Sequence, residues 1–147
     1  MKKLMFRLLL VLIGPAVFYG CRKDAPAVYS SEVSASPDEA FYQAFNAAPV
    51  QFDGYELNEY HQAQNDVRRC RGQHLLDPAA RKECVIPVVK IYMDKANKKI
   101  DDLKASLEML AEKATDSTHK YEAIQKFYES RTKKIIMHQE ALFELAD

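Results

Sequence analysis

The chain has 147 residues, 21 basic against 21 acidic, and 48% hydrophobic side chains. Lys2, Lys3 and Arg7 fall in the first twenty residues, which hold no acid, so the remainder is mildly acidic at 18 against 21. That balance argues against a dedicated nucleic-acid binder, which needs a net basic face, and the length allows one domain with a modest core.

Behind the basic start, residues 8–20 form an uncharged apolar run. As a helix it would span about 20 Å, short of a ~30 Å hydrocarbon core, and Gly14-Pro15 would break or kink it. The pattern is that of a secretory signal peptide over residues 1–20, set against the alternative of an uncleaved anchor. Val17-Phe18-Tyr19-Gly20-Cys21 resembles a bacterial lipobox, in which the cysteine after a small residue takes diacylglycerol on its sulfur. Phe18 and Tyr19 stand where an aliphatic and a small residue are usual, and Gly14-Pro15-Ala16 and Ala25-Pro26-Ala27 are competing cleavage sites. Lipidation at Cys21 is the expectation. It also accounts for the odd cysteine count, because Cys70 and Cys84 then remain as one pair that an exported location allows to form a disulfide.

Residues 21–35 read as the lipidated cysteine and a flexible Pro-, Ser- and Ala-containing tether, and residues 36–147 as a helical domain. Ser36, Pro37 and Glu39 form a capping box that opens a short helix. Ala40, Phe41, Ala44 and Phe45 line one face of it, and it is predicted to end before Pro49. A second helix is predicted from about Glu56 to Arg71, with Leu57, Tyr60, Gln64, Val67 and Arg71 on one face and Gly72 as its stop.

Asp77-Pro78 restarts a helix, so Cys70 and Cys84 lie near the facing ends of two helices. A bridge there contributes about 3 kcal/mol on the chain-entropy model. Pro87 predicts a kink near Val85-Ile86. From Val85 an apolar series runs at spacings of 3 and 4 through Val89, Tyr92, Ala96, Ile100, Leu103, Leu107, Leu110 and Ala114. Residues 114–118, ATDST, are poor helix formers. The spacing nevertheless resumes through Ser117, Tyr121, Ile124, Tyr128, Arg131, Ile135, His138, Leu142 and Leu145. Two readings follow: a helical pair folded at this joint, or one helix presenting its stripe as a coiled coil. The pair is preferred, because a monomer then buries both stripes. The fold class is all-α, a disulfide-pinned helical hairpin or bundle.

Candidate chemistry is sparse. Cys70, His74 and Cys84 could start a metal site, but a fourth ligand at a characteristic spacing is missing and a disulfide uses the same sulfurs. His61, His119 and His138 are scattered, and His138, on the last stripe, reads as a packing histidine. Arg131 on the same stripe either fixes the pairing of the helices or marks a binding face. Arg68-Arg69-Cys70-Arg71 and Lys133-Lys134 read as solvated helix surface. The spacing offers no phosphate loop, catalytic triad or carboxylate pair, so neither enzyme activity nor a metal or other cofactor is expected.

Cys70, Cys84, Tyr92, Asp94, Phe127 and Arg131 together resemble the pattern of small exported helical proteins that include lysozyme-inhibiting lipoproteins. Phe127 stands where that family carries a Trp, and no cysteine follows Arg131. The resemblance implies an all-helical fold, inhibition of a muramidase, and Tyr92, Phe127 and Arg131 as partner-binding residues. Cys70, Asp77-Pro78 and Cys84 also resemble exclusion lipoproteins of conjugative plasmids. The expected function is that of a non-enzymatic, lipid-anchored envelope protein facing the periplasm. The outer membrane is favoured because Arg22, not Asp, follows Cys21. It would bind another envelope protein through its helical domain. Inhibition of a lysozyme-type enzyme and self-association as a coiled-coil spacer are the alternatives, the last implying a homo-oligomer.

Overall fold

Ser36 opens the domain. Its Oγ accepts the backbone N–H of Glu39 at 3.2 Å, and Pro37 sits in the first turn with Asp38 and Glu39 near the positive end of the helix dipole. In this computed structural model, which describes residues 35–147, the helix so begun, α1, runs Pro37–Gln73. Two more follow, α2 at Pro78–Ala111 and α3 at Ser117–Ala146, each packed on both others in an all-α three-helix bundle. The signal segment, Cys21 and the tether through residue 34 lie outside the described residues. Among the described residues no helix is long and apolar enough to cross a membrane.

α1 corrects the expectation of two shorter helices. It passes through Pro49 without a break, although a proline inside a helix removes a hydrogen bond and crowds the preceding turn at a cost of about 3 kcal/mol. The compensation is tertiary. Phe41, Ala48, Phe52, Val67 and Cys70 are all buried, so one apolar face continues across the proline. The predicted inner face of the later segment is also displaced. Val67 is buried and Tyr60 half-buried, but Leu57 and Arg71 are exposed, and Glu56 and Ala63 take the inner positions.

α2 starts as expected, with the Asp77 side chain accepting the N–H of Ala80 at 3.0 Å, and it continues through Pro87. Its buried positions follow the predicted series from Val85 to Leu107. Ala111 then takes the inner place, leaving Leu110 and Ala114 half-buried.

The joint after α2 is a turn, so the helical pair is the observed arrangement and the single long helix is not. Lys113 and Ala114 donate to the carbonyls of Leu110 and Ala111. Asp116 takes a left-handed conformation at φ 49°, which a short polar side chain tolerates better than most. The turn is tied to the start of α1: Thr115 Oγ1 donates to Asp38 at 2.7 Å, and Lys120 Nζ pairs with the same carboxylate at 2.7 Å. Lys120, only 5% exposed, also donates to the Thr115 carbonyl. At the other end the Cys70–Cys84 disulfide joins α1 to α2, with their Cα atoms 5.7 Å apart.

Candidate functional site

Midway along the bundle an acidic residue occupies a core position. Glu56 is fully buried in the α1 face otherwise built from Phe52, Ala63 and Val67. A lone buried carboxylate costs several kcal/mol, so its persistence needs partners. Tyr92 of α2 donates its hydroxyl to Glu56 Oε1 at 2.5 Å, and His138 Nδ1 of α3 lies 2.5 Å from the same oxygen. The other oxygen, Oε2, has no hydrogen bond of good geometry but faces the Lys134 ammonium at 3.1 Å.

The layer extends one turn along α1. Asp53 accepts from Lys134 at 3.2 Å and from Arg131 at 2.9 Å, so two carboxylates meet two permanent cations. Arg131 lies 5.3 Å from the centre of the Phe127 ring, and its buried Nε has no acceptor. The Tyr60 ring stacks on His138 at 3.9 Å. Burial first, then the hydrogen bond to Glu56, pushes the Tyr92 hydroxyl well above its usual range, so it stays protonated as a donor. Burial opposes the Lys134 charge, but the facing carboxylates of Asp53 and Glu56 outweigh it and raise the lysine above its ordinary value.

The residue types are those of acid–base chemistry, but the placement is not. Glu56 is wholly buried and Tyr92 is 1% exposed. A cleft of about 60 Å³ between α1 and α2 has Tyr92 in its wall with Glu59, Val88 and Lys95 beside it, and does not include Glu56. Glu56 thus meets Tyr92 of α2 and His138 and Lys134 of α3 at one level, tying both helices to α1.

Tyr92, Phe127 and Arg131, expected from the resemblance as partner-binding residues, belong to this interior layer. Tyr92 and Phe127 are buried, the latter with its ring 6.3 Å from Phe45, so neither offers a surface in this fold. Arg131 keeps some exposure and is held by Asp53. His138 packs as expected and, beyond that, bonds to Glu56. Glu56 and Asp53 were missed, and Lys134, expected on solvated surface, pairs with both of their carboxylates. The signal that could have found Glu56 is its spacing, four residues after Phe52 and seven before Ala63, in register with the apolar face.

The disulfide end is built differently. With both thiols in the bridge, the Cys70–His74–Cys84 metal alternative loses its thiolates, and no cluster among the described residues could hold a metal ion. Arg71 and Arg81 reach across to the last carbonyls of α3, Arg71 to Leu145 at 3.4 Å and Arg81 to Ala146 at 3.1 Å, serving acceptors that the helix end leaves open. Between these helices lies a cleft of about 390 Å³. It is lined by Pro78, Arg81, Lys82 and Val85 of α2 and by Phe143, Ala146 and Asp147. Beside it the turn from α1 to α2 presents Leu75 at 66% and Leu76 at 99% exposure.

No family model, no curated protein and no solved structure matches the chain.

Proposed function

We propose that the chain is a lipid-anchored bacterial envelope protein, held by an acylated Cys21 and facing the periplasm from the outer membrane. Its helical domain works by binding another protein and not by catalysis. The observation that carries this reading is the Leu75–Leu76 pair, two large apolar side chains held out to solvent on a turn whose flanks are covalently joined. An unpacked pair of leucines on a fixed turn has little value to folding and much to recognition, because a fixed turn loses little freedom on binding. Glu56 and Tyr92, by contrast, are buried in the bundle.

The chain enters the domain at Ser36, at the opposite end of α1 from this turn. A helix of 37 residues is about 55 Å long. Tyr92 and Phe127 are buried, and a rigid protruding turn would also suit an inhibitor.

Intact mass of the membrane-extracted protein tests the anchor: residues 21–147 plus diacylglycerol and an acyl chain, heavier by two hydrogens after reduction. Amide exchange tests the binding. Residues 72–78 should exchange more slowly in native envelopes than in the dilute purified chain, and equal rates would sink the reading. Loss of muramidase activity at equimolar protein would replace it with the inhibitor.

A further inference from the structure

α1 is not held equally along its length. Beyond Pro49 it is tied to both other helices: Asp53 to Arg131, Glu56 to Tyr92 and His138, and Cys70 to Cys84 through the bridge. Before Pro49 the polar ties are confined to one residue. Among the described residues, Asp38 makes every side-chain hydrogen bond and ion pair that joins residues 37–48 to the rest of the bundle, and its partners are Thr115 and Lys120.

The remaining hold on this first stretch is apolar. Phe41 and Ala48 are buried, and the Phe45 ring meets Phe127 of α3 at 6.3 Å. A cleft of about 90 Å³ opens in that seam, with Phe41, Tyr42 and Phe45 of α1 and Lys120 and Ala123 of α3 in its lining. The packing here is thus less complete than around Glu56.

The backbone weakens where the two stretches meet. Pro49 has no N–H to give the Phe45 carbonyl, and its ring crowds that same carbonyl. Gly54, five residues on, is the next poor helix former. The helix crosses this region because its inner face is packed. Once Phe41 and Phe45 leave the seam, nothing local keeps it continuous across the proline. Release of the arm and loss of continuity are therefore a single event, as in the cooperative units by which folded chains open locally. We infer that residues 37–48 form a latch that opens as one unit about Pro49, uncovering Phe127 while the bundle beyond Asp53 stays closed. The latch depends neither on the anchor nor on the leucine turn. It goes beyond the binding reading by placing a conditional apolar surface at the end where the chain enters the bundle.

Native-state amide exchange of the full chain, read residue by residue in urea below the unfolding transition, tests it. The amides of residues 41–48 should share one opening equilibrium, about tenfold or more above that of residues 57–70 and 85–107. Asp38→Ala should speed exchange in 41–48 severalfold and leave 57–70 unchanged. Pro49→Ala, which returns the missing N–H, should slow 41–48 and narrow the step. Rates that fall steadily from residue 41 inward, with no step at the proline, mean an end that frays and overturn the latch. One common rate across 41–70, or a step that Pro49→Ala leaves as it was, overturns it too.

Discussion

Glu56 and Tyr92 meet across the α1–α2 interface through a 2.5 Å hydrogen bond at a level where neither side chain reaches solvent. The contact sets the relative height of two long helices, since sliding α1 by one turn would strand a carboxylate in the core. His138 and Lys134 extend the same constraint to α3. The layer is thus a pairing device, of the kind that polar core residues supply in helical assemblies.

Removing its two central members should have unequal effects. Tyr92→Phe leaves Glu56 with His138 and Lys134, and should cost about 1–3 kcal/mol for one lost buried hydrogen bond. Glu56→Ala leaves the Tyr92 hydroxyl and His138 Nδ1 without their shared partner, while Lys134 keeps Asp53, and should cost about 3–5 kcal/mol. Urea-denaturation midpoints at constant slope measure both. Equal and small losses would mean that water reaches the layer.

Gly54 offers a change in the opposite direction. It lies inside α1, and a Cβ added there meets nothing within 4 Å. Its cost is only the backbone freedom of glycine in a helix interior. Gly54→Ala should raise stability by about 0.5–1 kcal/mol, read from the same urea midpoints. A loss of stability would show that α1 needs a weak point there, one turn beyond Pro49.

The features legible in the sequence were the local ones. Ser36 and Asp77 cap their helices through bonds to residues three positions on. The poor helix formers around Asp116 do separate α2 from α3. Pro49 was misread because its local penalty is visible in the sequence, while the burial of Ala48 and Phe52 that offsets it is not. Glu56 was missed for a related reason: its partners Tyr92 and His138 lie 36 and 82 residues away. An acid in an apolar register looks like a flaw in the pattern until those residues are brought to it. The Leu75–Leu76 turn was passed over because two apolar residues in a loop match no periodic template. The disulfide was legible through the cysteine count, the expectation of export, and the Asp77-Pro78 restart that sets Cys70 and Cys84 at facing helix ends.

That disulfide closes a loop between residues 14 apart in sequence. Reduction, or Cys70→Ala with Cys84→Ala, should lower stability by about 3 kcal/mol on the chain-entropy model. It should also speed amide exchange in residues 72–78 before the rest of α1 and α2 is affected. Differential scanning calorimetry with and without reductant gives the first quantity and exchange mass spectrometry the second. Unchanged exchange in the turn would remove the argument that Leu75 and Leu76 are held in place covalently.

The opposite end should respond to acid. The hydrogen bond from Lys120, and then that from Thr115, holds the Asp38 carboxyl below its ordinary value of 3.8. A carboxylate with a lowered folded-state pKa stabilises the fold above its ordinary value, and the contribution is lost as pH falls through the lowered one. Lys120 is raised by the same bond to Asp38, so its share is present below the ordinary lysine value of 10.5 and is lost only as pH rises through the raised value. The tie between the α2–α3 turn and the start of α1 is therefore intact across the neutral range and fails first in acid. Asp38→Asn should melt below the parent chain at pH 6, and the gap should close as both are taken below pH 3.8. Melting temperatures of the two chains from pH 6 downward make the comparison. A gap that stays constant into acid would mean that Asp38 acts through its shape and its bond to Thr115, not through its charge on Lys120.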